Sequence, residues 1–181
     1  MKTKNSLLVL ISLLFCMTDI SAQTRFYDTP RTFNEQGFTY VSQLQAGVLV
    51  HLHNRDVRWI GIQNVNRDGT EIEIFRPPLF QVNNDIQMTQ LARTIVNNAF
   101  TPAERQRFNG ARLHTILYVD PNTGRVDDVR FVFDRSLGFA TIPVTTYRKI
   151  ELELKNRIQF VVTAEGKRRN FIPVNVIFEV E

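Results

Sequence analysis

The chain has 181 residues, 22 Lys and Arg against 18 Asp and Glu, 43% hydrophobic residues and one cysteine. The small positive excess is spread along the chain, with Lys167-Arg168-Arg169 as its one dense run. That run reads as a solvated turn and excludes the clustered basic stripe of a nucleic-acid binder. A lone cysteine excludes a disulfide framework, so the fold must rest on its core, which is feasible because a chain of about 150 residues buries close to 70% of its unfolded surface.

Residues 1–22 have the three parts of a secretory signal peptide. Lys2 and Lys4 supply the positive start, Leu7 to Phe15 the apolar stretch, and Ser21-Ala22 the small-residue exit before Gln23. A membrane anchor needs about 20 apolar residues, and here Thr18 and Asp19 cut the run short. Bulky Phe15 before Cys16 argues against lipid attachment at that cysteine. Cleavage after Ala22 leaves an exported chain without cysteine and without a further membrane span, in the periplasm or outside the cell.

Residues 24–37 are polar and irregular and predict an extended arm or loop. From there the text predicts an antiparallel β-meander, the main content of a β-rich segment over residues 23–80. Its strands are Phe38–Gln43, Gly47–His53, Val57–Ile62 and Thr70–Phe75, separated by Asn54-Arg55-Asp56 and Asn66-Arg67-Asp68-Gly69. Arg76-Pro77-Pro78 ends the series, because proline cannot donate to a ladder.

The period then changes. Ile86, Leu91, Ile95 and Phe100 predict an amphipathic helix within Asp85–Ala99. Thr101-Pro102-Ala103-Glu104 is a capping box with proline at the first helical position, so a second, short helix runs toward Phe108. Leu113–Val119 reads as a strand, Asp120–Gly124 as a turn, and Arg125–Phe133 as the returning strand. Val144, Tyr147, Ile150, Leu154 and Ile158 form a helical stripe after Pro143. Glu151–Lys155 and Glu153–Arg157 are spaced as i,i+4 ion pairs. Gly166 lies in a turn, and Phe171–Glu181 alternates as a last strand.

The segment Leu117-Tyr118-Val119-Asp120-Pro121-Asn122-Thr123-Gly124-Arg125-Val126-Asp127-Asp128-Val129 resembles the strand–D-x-x-G-x-V–strand hairpin of the C-terminal domain of TonB energy-transducing proteins. Ser136-Leu137-Gly138 and the closing strand are similar to that family at the corresponding places. The resemblance covers residues 85–181 and implies an α-β-β-α-β unit with a three-stranded antiparallel sheet packed on helices. The fold class expected for the chain is α+β, the meander preceding this unit. The whole chain also resembles small exported proteins of Bacteroides-type bacteria that have no assigned function. TonB proteins keep an uncleaved membrane helix, a Pro-rich linker and a Tyr-Pro pair before the first strand. This sequence shows none of them, so energy transduction is not expected. What the resemblance does imply is addition of a partner strand at a sheet edge, placed on Phe171, Pro173, Asn175 and Ile177 of the last strand. Pro173 suits an edge position and partly blunts it.

The chemistry-bearing residues are few. His51 and His53 are two apart on a strand and share a face. With His114 they are the candidates for a metal, against the simpler reading of solvent-facing or hydrogen-bonded imidazoles. Asp127 and Asp128, being adjacent on a strand, point to opposite faces and cannot form an acid/base dyad; they read as charges beside an exposed turn. No activated nucleophile, Gly-x-Ser-x-Gly turn or phosphate loop is present. Thirteen of the 14 Phe follow Phe15's segment, which predicts a partly aromatic core. Trp59 is either core or a contact surface. The expectation is a non-catalytic exported binding protein without cofactor and with a protein or peptide partner in the envelope. The alternative is an assembly subunit that acts as a homo-oligomer.

Overall fold

The computed structural model describes residues 24–35, 37–72, 81–108 and 110–179. Across these the chain is α+β, with one six-stranded antiparallel sheet and three α-helices. In chain order the elements are β1 (Arg31–Glu35), β2 (Phe38–Gln45), β3 (Leu49–Asn54), α1 (Asp85–Ala99), α2 (Pro102–Arg107), β4 (Arg112–Val119), β5 (Val126–Asp134), α3 (Val144–Arg157) and β6 (Ile172–Glu179). The spatial order of strands is β1-β2-β3-β5-β4-β6. The strands expected as a three-stranded sheet therefore occupy one half of a larger one, joined to the N-terminal strands where β3 pairs with β5.

Alternation sorts the strands into two faces. Tyr40, Leu52, Phe131, Thr115 and Val176 lie in one cross-strand row or beside it and are buried beneath the helices. The opposite face carries His51, Val132, His114 and Ile177 in a second row, of which His114 and Ile177 are exposed and the other two half-buried, while His53, Tyr118 and Asp128 on the same face are buried. Helices α1 and α3 touch each other and cover the first face through β6 and β5. The helix boundaries of α1 are those the periodicity predicts, but Ile86 is 71% exposed, and the buried stripe is Ala92, Ile95 and Val96. The capping box of α2 closes as expected: Thr101 Oγ1 accepts from Glu104 N, and the Glu104 carboxylate accepts from Thr101 N at 2.7 Å.

The core is aromatic in part. Tyr147 of α3 stacks on Phe133 with ring centroids 5.4 Å apart and an interplanar angle of 4°. Tyr27 meets both rings edge-on and donates its hydroxyl to Ile142 O at 2.9 Å. Such pairs contribute roughly 0.5–1.5 kcal/mol beyond the area they bury.

Three expectations for the N-terminal part are corrected. Residues 24–37 are not a free arm: Phe26 N donates to Ala140 O, Tyr27 is fully buried, and Arg31–Glu35 is a strand. Val57–Ile62 is a bend rather than a strand, because the place beside β3 that it would take is filled by β5. Thr70–Ile72 is also irregular, and the rest of that expected strand, with Arg76-Pro77-Pro78, lies outside the described residues. So do residues 1–22.

Gly124 ends the β4–β5 turn at φ 70°, and a Cβ there would stand 1.9 Å from Phe160 O. Both the positive φ and the absence of a side chain are required, since Phe160 N donates to Gly124 O at 2.8 Å.

Candidate functional site

The outer edge of β6 is defined by which way its backbone points. Along an antiparallel strand a residue's N–H and C=O share one side, and the side alternates. Arg135 N donates to Val48 O at 2.9 Å, so on β5 the groups of Phe133 and Phe131 face β3 and those of Val132 and Arg130 face β4. Their partners His114 and Ile116 thus face β5, which leaves Leu113, Thr115 and Leu117 to bond Phe178, Val176 and Val174. Pro173, Asn175 and Ile177 consequently turn their backbone groups outward, where no described strand lies. Pro173 sits where a missing N–H takes nothing from the ladder. Among the described residues nothing bonds the backbone N–H and C=O of Asn175 or Ile177 on this side, and Ile177 is 43% exposed. Phe171 differs from these three: it is buried, with Trp59 at 5.0 Å and Tyr118 at 5.6 Å between ring centroids.

Trp59 belongs to a strap, residues 55–72, laid over the start of β6. Asn170 holds it by accepting from Val65 N at 3.2 Å and donating to Gln63 O at 2.9 Å. Arg67 reaches Arg169 O at 3.1 Å and Asn122 Oδ1 at 2.7 Å. Arg169 is buried against Glu165 and Asn66, so only Lys167 and Arg168 of the basic run are solvated.

Asp128 is buried under the same strap, and Asp127 is half-buried beside it. Asp128 is 9% exposed, accepts from Arg58 N at 3.0 Å and lies 3.9 Å from Lys155 Nζ. Burial raises its carboxyl above the ordinary range, against the lowering effects of Arg58 N–H and Lys155. Burial and the Asp120 charge likewise raise Asp127. The Trp59 indole N–H points toward Asp127 without reaching full hydrogen-bond geometry.

His51 and His53 share one face of the sheet as expected, but His51 is half-buried and His53 is only 7% exposed. His51 Nε2 is 2.7 Å from Gln45 Oε1, and His53 Nδ1 is 2.8 Å from Asn54 O. Burial lowers both imidazoles, and the Arg130 charge adds to this. His114 stands across β5 in the row of His51, two strand spacings or about 10 Å away. The structure does not bring the three together, and among the described residues no group of three His, Cys, Asp or Glu could hold a metal ion. A cavity of about 460 Å³ opens beside His114, lined by Leu49, Arg107, Ala111, Val132 and Leu137 among others. Its rim charges are already answered: Arg107 faces Glu104 at 3.9 Å, Arg112 faces Glu179 at 4.0 Å, and Asp134 accepts from Ser136 N at 2.7 Å.

The group that sequence reasoning missed is Glu151. It is 1% exposed, accepts from the Tyr40 hydroxyl, and pairs with Arg148 at 2.7 Å and Lys155 at 3.7 Å. The i,i+4 spacing marks the Lys155 pair but cannot show that it points inward. The network clamps α3 to β2.

The fold and this edge define a compact α+β protein in which strand β6 ends a sheet backed by helices on one face. The family described as "domain of unknown function (DUF5043)" matches residues 23–176, and the chain belongs to it. It is similar to the crystal structure of a DUF5043 family protein from Bacteroides uniformis ATCC 8492, solved at 1.85 Å. The identity is 30%, over 86% of this chain and 94% of that one, with a TM-score of 0.79. No curated protein matches the chain. Among the described residues no helix is long and apolar enough to cross a membrane.

Proposed function

We propose that the protein is a non-catalytic exported binding protein that captures an extended partner segment along the outer edge of β6. The observation that supports this is the pair of outward donor–acceptor sets at Asn175 and Ile177. An extended peptide would pair with them as a seventh strand, and the exposed Ile177 side chain would meet its apolar residues. The finer likeness to the TonB C-terminal domain belongs to the same reading, since residues 85–179 run helix, short helix, strand, strand, helix, strand. Export rests on the signal pattern of residues 1–22, and the partner is accordingly a protein or peptide of the envelope. Phe171 holds the strap in this reading, while Pro173 limits the edge at one end.

The test exploits the backbone direction. Asn175→Pro and Ile177→Pro remove outward N–H groups and leave every bond to β4 in place. A library of extended peptides is panned on the immobilised exported chain, and binders are measured against both variants by fluorescence anisotropy. The proposal expects binding to fall at least about tenfold, the loss of one or two net hydrogen bonds. Unchanged affinity in both variants contradicts it.

A further inference from the structure

The opposite edge of the sheet has a different chemistry. Thr39 O accepts from Arg55 N at 2.8 Å, so Thr39 and Val41 face β3, while Phe38, Tyr40 and Ser42 face β1. Their partners Glu35, Phe33 and Arg31 therefore spend their backbone groups on β2. Thr32 and Asn34 turn theirs outward, and no described strand lies beyond them. Within Arg31–Glu35 neither a proline nor a bulge blunts this edge, Pro30 standing just before it, whereas β6 carries Pro173 inside the strand.

We propose that β1 is a homodimer edge, pairing antiparallel with β1 of a second copy about Phe33. In that register Thr32 lies opposite the second copy's Asn34, and each such pair exchanges two hydrogen bonds. Arg31 lies opposite Glu35 on both sides of the two-fold axis, at the closer spacing of non-hydrogen-bonded pairs. Arg31 and Glu35 are exposed, the Arg31 guanidinium resting over the Phe33 ring at 4.9 Å, and among the described residues neither has an ion-pair partner in its own chain. Centring the pair on Thr32 or Asn34 keeps the backbone in phase but leaves these charges unmatched. The charge order of Arg31-Thr32-Phe33-Asn34-Glu35 thus fits one occupant, a second copy in a single register. The two sheets would join into twelve strands.

The inference is independent of partner capture at β6, and its test separates the two. Sedimentation velocity on the exported chain over a wide concentration range should show a reversible dimer, weakened by salt. Arg31→Glu and Glu35→Arg each set like charges face to face at both symmetry-related positions, which together should weaken it by about tenfold. An equimolar mixture of the two variants should form a heterodimer, because each then supplies the charge the other lacks, and the doubly swapped chain should dimerise like the wild type. Thermal unfolding checks that each variant is folded. A wild-type chain that stays monomeric overturns the proposal, as does a dimer indifferent to both substitutions or sensitive instead to Ile177→Pro.

Discussion

The two edges of one sheet solve the same exposure problem in different ways. β6 is eight residues long, carries a proline on its outward side and displays an apolar side chain; β1 is five residues long and displays Arg31 and Glu35. Length and an apolar contact suit a foreign segment, and a symmetric charge order suits a copy of the same strand. The comparison teaches that edge accessibility alone does not name a partner. The direction of the backbone and the order of charges are what the two proposals rest on.

Each edge depends on a support, and the supports differ in kind. Gly124→Ala attacks the β6 side, driving a Cβ into Phe160 O at a positive φ. Its expected cost is about 3 kcal/mol of unfolding free energy in urea titration, the upper end of backbone strain. A cost near that of an ordinary surface change would contradict the close approach. Glu151→Ala attacks the β1 side by leaving Tyr40 and Arg148 without their acceptor, at about 3 kcal/mol. It should also raise exchange of the β2 amides before those of β4.

Much of this architecture is legible in the sequence, and the uneven legibility follows the same division. The β6 half speaks through long periodic runs: Val174, Val176 and Phe178 alternate, and Val144, Tyr147, Ile150 and Leu154 recur at helical spacing, so both elements emerge where the pattern puts them. β1 is five residues with one apolar side chain, too short for a period to register. Val57–Ile62 has the composition of a strand but no vacant neighbour in the sheet, and pairing is a tertiary fact. Asp128, Glu151 and Arg169 look like solvated charges because sequence records neither the strap over Asp128 nor the inward side of α3. The outward turn of Asn175 and Ile177 could be anticipated only as an edge; its phase needs the ladder.

Acid titration gives a smaller and more selective test. Burial, with Arg130 opposite, holds the His53 imidazole below its ordinary value of 6.5. As pH falls, the unfolded chain takes up this proton first, so stability is lost from about 6.5 downward until the folded imidazole is also protonated. Asp127 and Asp128, raised by burial, act in the opposite sense: their cost is fully present at neutral pH and is relieved as pH falls through their raised values. Comparing wild type with His53→Gln isolates the imidazole. The variant should lose less stability between pH 7 and 5, and an identical slope would place His53 in solvent. Smallest of all, Arg157→Ala removes a half-exposed pair with Glu153 at 3.7 Å and should change stability by less than about 0.5 kcal/mol.

The claim that β6 is the accepting edge is tested most directly by amide hydrogen exchange, read residue by residue with and without a selected extended peptide. In the free protein, Val174 and Val176 amides should be protected and those of Asn175 and Ile177 should exchange quickly. Peptide binding should protect Asn175 and Ile177 and leave Thr32 and Asn34 of β1 unchanged. Fast exchange at Asn175 and Ile177 in the presence of saturating peptide would contradict the account.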